Sequence, residues 1–262
     1  MLSLSLSQYA LGAVSGSFAG LSLGLVGGGG SILAVPLLVY LVGVSDPHVA
    51  IGTSAVAVAI NAAASLVEHA RRGHVQWSCA ALFAAAGVLG AALGSTLGQV
   101  VDGQKLLALF AGLMLVVAGL MLRQRSKDGS TATVRCRDNA PRLVAMGALA
   151  GTLSGFFGIG GGFLVVPGLM AATHMPILLA VGSSLVAVTA FGLTTAANYA
   201  TSGLVDWPLA TVFVLGGACG GMAGAQLATR CAERRGLLNG LSATTIGITG
   251  LYMLYRALTG PG

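Results

Sequence analysis

Residues 24–36 read GLVGGGGSILAVP and residues 155–167 read GFFGIGGGFLVVP. Each lies within an apolar stretch, about 9–44 and about 143–173, that is too long for one membrane helix, since about 20 residues span a bilayer. Glycine clusters cost helix stability and free the chain to turn. Each stretch is therefore read as two helices or half-helices that meet at the glycines. The other apolar stretches, about 48–67, 77–98, 106–122, 177–199, 207–228 and 236–257, mostly match a bilayer core at a rise of about 1.5 Å per residue. Together they predict an all-α polytopic membrane protein of about eight to ten segments.

Composition leads to the same class. Of 262 residues, 55% are hydrophobic and only 8% charged, where soluble domains carry roughly 25% charged residues. The mean hydropathy is +0.89. A soluble monomer of this composition would expose apolar patches and aggregate, and a disordered chain would be polar. The 41 glycines follow no three-residue period, which excludes collagen. A net charge of +6 suggests nucleic acid in a soluble chain, but in a membrane protein basic residues collect in cytoplasmic loops. No nucleic-acid partner is expected. Cys79, Cys136, Cys219 and Cys231 show neither a C-x-x-C pair nor zinc spacing. The N-terminal apolar run has no basic region before it, so it reads as an uncleaved first segment.

The two glycine motifs belong to an internal repeat. At a shift of 131, Gly16, Gly20, Gly24, Gly27, Gly29, Gly30 and Pro36 fall on Gly147, Gly151, Gly155, Gly158, Gly160, Gly161 and Pro167. At a shift of 130, AIGTSAV (50–56) falls on AVGSSLV (180–186), and Gly73 and Trp77 fall on Gly203 and Trp207. This divides the chain into a first membrane repeat (1–122), a polar linker (123–142) and a second repeat (143–262). Such repeats usually mark a transporter built about a pseudo-two-fold axis.

Charge orients the halves. The linker carries Arg123, Arg125, Lys127, Arg135, Arg137 and Arg142 against Asp128 and Asp138, which predicts a cytoplasmic position. Arg71 and Arg72 fall on that side. Arg230, Arg234 and Arg235 join them only if the fifth long stretch crosses twice or re-enters and returns. Each half then makes an odd number of crossings, the halves are inverted, and both termini lie outside.

Catalytic machinery is not evident. No G-x-x-x-x-G-K-[ST] phosphate loop is present. The GIGGG cluster has no preceding strand, so a dinucleotide site is not supported. Ser154 sits in GTLSG rather than G-x-S-x-G. His48, His69, His74 and His174 are not spaced as metal ligands and read as interfacial residues. Glu68 stands beside Arg71 and Arg72, which favours an ion pair at a helix end. No Asp, Glu, Lys or Arg lies near the centre of a span. Neither an enzyme nor a bound cofactor or metal is expected.

An uncharged polar set does recur. Half-helices ending at Gly27, Gly29 and Gly30, and at Gly158, Gly160 and Gly161, would present free N–H groups, which bind anions readily. Thr53 and Ser54 in one half and Ser183 and Ser184 in the other supply hydroxyls. Asn61 and Asn198 add amides farther along the same helices. These residues form the candidate binding set for a small anion. The competing reading is close helix packing by small residues, with hydroxyls bonded to their own helix.

The doubled pattern GLVGGGGSILAVPLL, AIGTSAV, RRGHVQW and then GFFGIGGGFLVVPGL, AVGSSLV, TSGLVDW resembles the TauE/SafE family of membrane transporters, known as sulfite exporters. The resemblance runs from residue 12 to 256. It implies a multi-pass transporter of the bacterial inner membrane that carries sulfite or another sulfur-containing anion. Gln76 precedes Trp77 where Asp206 precedes Trp207, and family members often carry Asp there, so a role for the first-half position is weakened. The partners implied are a small anion and the lipid bilayer, with self-association left open. Other readings are transport of a neutral solute or a metal ion, or a different class altogether, an intramembrane enzyme or assembly subunit.

Overall fold

The computed structural model describes residues 5–26, 28–123, 136, 139–230 and 235–259. All regular elements among them are helical. Helix α1 (Leu6–Val26) leads to a return arm made of a 3₁₀ segment (Gly28–Leu33), the short α2 (Ala34–Pro36) and a π-helical turn (Leu37–Leu41). Then come α3 (Pro47–Arg71), α4 (Trp77–Val100), α5 (Gly103–Arg123), α6 (Ala140–Phe157), α7 (Gly162–Thr173), α8 (Ile177–Thr201), α9 (Trp207–Arg230) and α10 (Arg235–Thr259). Both long apolar stretches break at their glycines, as the composition requires. Among the described residues four helices, Pro47–Arg71, Trp77–Val100, Leu178–Thr201 and Trp207–Gly224, are long and apolar enough to cross a membrane. Leucines such as Leu89, Leu93, Leu149 and Leu215 are exposed on the helix surfaces, as expected where hydrocarbon is the solvent.

Small residues decide which helices touch. On α6, a Cβ added to Gly147, Gly151 or Gly155 would lie 2.5, 2.0 or 2.2 Å from the carbonyl oxygen of Phe83, Gly87 or Ala91. Numbers rise together on both helices, so α4 and α6 run parallel with their backbones in direct contact. Helix α1 meets α9 in the same way, with Gly16 against Phe213 and Gly20 against Gly217. Membrane helices associate through such small-residue seams because apolar burial gives no advantage inside lipid. Helices α3 and α8 pack antiparallel: Gly52 abuts Leu204, Gly192 abuts Ala59 and Gly182 abuts His74. Helices α5 and α10 also run antiparallel, with Gly250 on Met114 and Gly247 on Ala118.

These directions place Arg71, Arg72, Arg123, Arg142, Arg230 and Arg235 at one end of the bundle. Lys105, Arg256, Asp46, Asp102 and Asp206 lie at the other. The 3₁₀ and α7 arms both double back. The Gln8 amide donates to the Val42 carbonyl at 3.2 Å, closing the first hairpin at the far end. Gly168 lies against Phe83, so α7 returns toward the basic end. Arg230 and Arg235 thus share an end with Arg71 and Arg72, the arrangement expected from charge. Arg72 pairs with Glu68 on the α3 surface. Arg125, Lys127, Asp128, Arg135, Arg137, Asp138 and Arg234 lie outside the described residues, as does Gly27.

Cys79, in the first turn of α4, is disulfide-bonded to Cys136 of the linker, with Cα atoms 5.3 Å apart. Sequence spacing gave no sign of this pair, since 57 residues separate the two cysteines. The parallel α4–α6 seam brings the start of α6 beside the start of α4.

Candidate functional site

The second glycine hairpin occupies the middle of the bundle. Helix α6 ends at Phe157, and Gly158, Gly160 and Gly161 then take φ of +66°, +69° and +71°. Three left-handed residues within four positions reverse the chain, a conformation costly for any residue with a Cβ. A Cβ on Gly160 would lie 2.6 Å from Val58 Cγ1 and 3.4 Å from Val188 Cγ1. Val58 and Val188 each fall one residue before the midpoint of their 25-residue helices. The hairpin tip therefore sits at mid-depth between α3 and α8. Helix α7 starts there, with its first N–H groups at the tip.

Two buried hydroxyls border this turn. Ser54 donates to the Ile51 carbonyl at 2.9 Å and reaches the Gly158 carbonyl oxygen at 3.4 Å. Ser154 is fully buried and its Oγ has no hydrogen-bond partner. A Cβ on Gly161 would come within 2.8 Å of that oxygen, so Ser154 faces the start of α7. Every charged residue among those described lies toward an end of the bundle, and the tip holds only backbone dipoles and hydroxyls. Sequence reading considered Ser154 only as a nucleophile and set it aside. Its depth beside a helix break, four residues before the glycine turn, was the available signal.

The other candidate residues are distributed differently. The Thr53 hydroxyl accepts the Asp206 N–H at 3.0 Å, and the Ser183 hydroxyl accepts the Gln76 N–H at 2.9 Å. These are equivalent braces at opposite ends of the bundle, each fixing the entry to α9 or α4. The exchange of Gln for Asp at this position leaves the brace intact, because the backbone supplies the donor. Asp206 adds its own cap by accepting from Leu209 N–H at 3.0 Å. Ser184 donates back to the Val181 carbonyl at 2.7 Å. Asn198 ties α8 to α4 by donating to Ser95 and Thr96 at 2.7 and 3.0 Å. The four hydroxyls are thus not gathered in one pocket: Ser54 borders the second hairpin, while Thr53 and Ser183 lie toward opposite ends.

Gly29 and Gly30 lie in the 3₁₀ segment of the first hairpin. Beside that segment is a cavity of about 10 Å³ lined by Ser31, Val58, Asn61 and Phe213 together with α1, with room for about one water molecule. Val58 thus faces both the cavity and the tip of the second hairpin. Among the described residues no group of His, Cys, Asp and Glu is placed to hold a metal ion.

The family model for "Sulfite exporter TauE/SafE" matches residues 12–253. This chain belongs to the TauE/SafE family. It is 50% identical over 248 residues to a probable membrane transporter protein of Xylella fastidiosa (strain 9a5c), covering 93% of this chain and 94% of that one. It is 27% identical over 238 residues to the probable membrane transporter protein YdhB of Bacillus subtilis, covering 90% and 96%. A probable membrane transporter protein of Methanocaldococcus jannaschii is 24% identical over 255 residues, covering 92% and 93%. No solved structure matches the chain. Membership and helix content together make this TauE/SafE chain a multi-pass membrane transporter.

Proposed function

We propose that this chain is a secondary transporter of a small anion, sulfite or another sulfur-containing anion, in a bacterial inner membrane. The observation that carries the reading is the Gly158–Gly161 turn at mid-depth, where α7 begins beside the buried, unpartnered Ser154 hydroxyl and Ser54 reaches the Gly158 carbonyl oxygen. Helix N-termini attract negative charge. Irregular backbone at membrane depth is tolerated only when buried in protein or lining a cavity. A site of dipoles and hydroxyls holds an anion without a fixed cation that would trap it. The first hairpin, with Gly29 and Gly30 in its 3₁₀ segment, faces the same centre in this reading.

The halves act here as inverted repeats. Exchanging α1 with α6, α3 with α8, α4 with α9 and α5 with α10 converts each major packing into another that also occurs. The α1–α9 and α4–α6 seams exchange, and α3–α8 and α5–α10 map onto themselves. Alternating access rocks these elements about the central hairpins. Flux of radiolabelled sulfite into proteoliposomes tests the reading, with sulfate and sulfoacetate as competitors. The expected result is saturable flux that Gly29→Val and Gly160→Val abolish. Folded, inserted protein that moves no sulfur anion overturns it, and movement of a neutral solute or metal ion would identify the alternative cargo.

The arginine-rich end is cytoplasmic in this reading, with three crossings and one re-entrant hairpin per half. Cytosolic glutathione keeps thiols reduced, so Cys79 and Cys136 are expected as thiols in living cells, closing when the protein is oxidised. Acid-quenched cells treated with a maleimide mass tag under denaturing conditions should show all four cysteines tagged. Tagging of only Cys219 and Cys231 would put the basic end in an oxidising compartment and reverse the topology.

A further inference from the structure

A cleft lies beside the first hairpin, and the residues around it correspond position by position to residues beside the second. The cleft is bounded by Gly20 and Leu23 of α1, Ser31 of the 3₁₀ segment, Val58 and Asn61 of α3, and Phe213 of α9. Their counterparts in the repeat are Gly151, Ser154, Gly162, Val188, Phe191 and Phe83. Glycine, valine and phenylalanine recur. The difference that matters is Asn61 against Phe191.

Both side chains occupy the same slot. A Cβ on Gly217 would lie 2.2 Å from Asn61 Nδ2, and a Cβ on Gly87 would lie 2.0 Å from Phe191 Cζ. Each half thus uses a glycine of α9 or α4 to admit the residue from α3 or α8. In the second half the slot is filled: Phe191 is fully buried and stacks on Phe83, ring centroids 6.4 Å apart. In the first half it holds a half-buried amide beside a small cavity. That amide makes no hydrogen bond among the described residues and borders the cavity, where its N–H groups can meet a bound group.

We infer that one half alone contributes an amide to the central anion site: the Asn61 amide, in the cleft whose Val58 wall abuts the second hairpin, donates to an oxygen of the bound anion, and Phe191 fills the equivalent slot of the other half. The inference rests on the anion reading above and deepens it. A neutral amide suits the task, because its N–H groups pair with an oxyanion while an aspartate there would repel it. The cavity of about 10 Å³ holds about one water molecule. The anion therefore enters when α1 and its return arm part from α3 and α9. Gly160 abuts Val58, a wall of this cleft, which links the second hairpin to its occupancy.

The test uses the full-length protein in proteoliposomes, with sulfite as the probe for both flux and equilibrium binding. Wild type should bind one sulfite per chain. Asn61→Leu keeps side-chain size and removes the donor, and should raise KM for sulfite about 10–100-fold, the effect of one lost hydrogen bond to a charged group. Asn61→Asp should lose saturable flux. Asn61→Ser, smaller but still a donor, should retain it, which separates loss of donation from loss of folding. Two sulfites bound per chain, or Asn61→Leu with wild-type KM while Gly160→Val is inactive, overturns this inference and leaves the anion reading standing. Wild-type protein that neither binds nor moves sulfur anions overturns both.

Discussion

Gly160→Val is expected to abolish the proposed saturable anion flux while the chain still inserts and stays folded in detergent. At φ +69° a residue with a Cβ costs about 1–2 kcal/mol, and a β-branched one is a genuine outlier. The new Cβ would also meet Val58 Cγ1 at 2.6 Å, and overpacking of this kind costs typically 1–3 kcal/mol. The two penalties fall on the tip that must rearrange during transport, where about 2.7 kcal/mol is enough for a hundredfold loss. The flanking seams α1–α9 and α4–α6 do not involve Gly160, so global stability should change far less than flux. Val58→Ala removes the obstructing methyl but not the backbone strain, so the Gly160→Val/Val58→Ala double variant should recover flux only in part. Flux at the wild-type level in Gly160→Val would remove the hairpin tip from the mechanism.

Gly151→Val has the opposite signature, a loss of the folded protein itself. The added Cβ would lie 2.0 Å from the Gly87 carbonyl oxygen and 2.6 Å from its Cα. The obstacle is backbone, which cannot swing aside as a side chain can, so α4 and α6 must separate along the seam. The cost should reach or pass about 3 kcal/mol, the upper end of the usual overpacking range. At about 2–4 °C per kcal/mol for a chain of comparable size, the thermal midpoint falls by about 10 °C. The control is Gly112→Ala on α5, where a Cβ meets nothing within 4 Å and the midpoint should not fall. Thermal unfolding of purified variants, followed by size-exclusion chromatography, checks both. An unchanged midpoint for Gly151→Val would show that the seam can open at little cost.

Part of the candidate site was legible before any coordinates. The glycine clusters 155–161 and 24–30 interrupt apolar stretches, and a break there follows from the poor helix propensity of glycine. Ser54 was legible too, because G-[ST]-S recurs in both halves. The work of Thr53 and Ser183 was not. Their donors, Asp206 N–H and Gln76 N–H, lie 153 and 107 residues away, and no local pattern reports such a brace. Ser154 was passed over because its importance comes from an orphaned hydroxyl facing Gly161, which only packing reveals. Asn61 was noticed as an amide on α3, but its contrast with Phe191 gained meaning only when both proved to fill one slot against Gly217 and Gly87.

The residues alone determined that this chain lives in a bilayer, that its helices break at two glycine clusters, and that most of its basic residues belong at one end. Composition and periodicity carry these properties, because hydrophobicity, glycine backbone freedom and charge act locally. Only the tertiary structure decided that α1 pairs with α9 and α4 with α6, across the two halves, and that one slot keeps an amide while its counterpart is plugged by a ring. Pairing between distant helices depends on which small-residue surfaces fit in three dimensions. Glycine rows on α1, α4, α6 and α9 are alike in sequence, and the choice among them is made by backbone contact at about 2 Å from a missing Cβ.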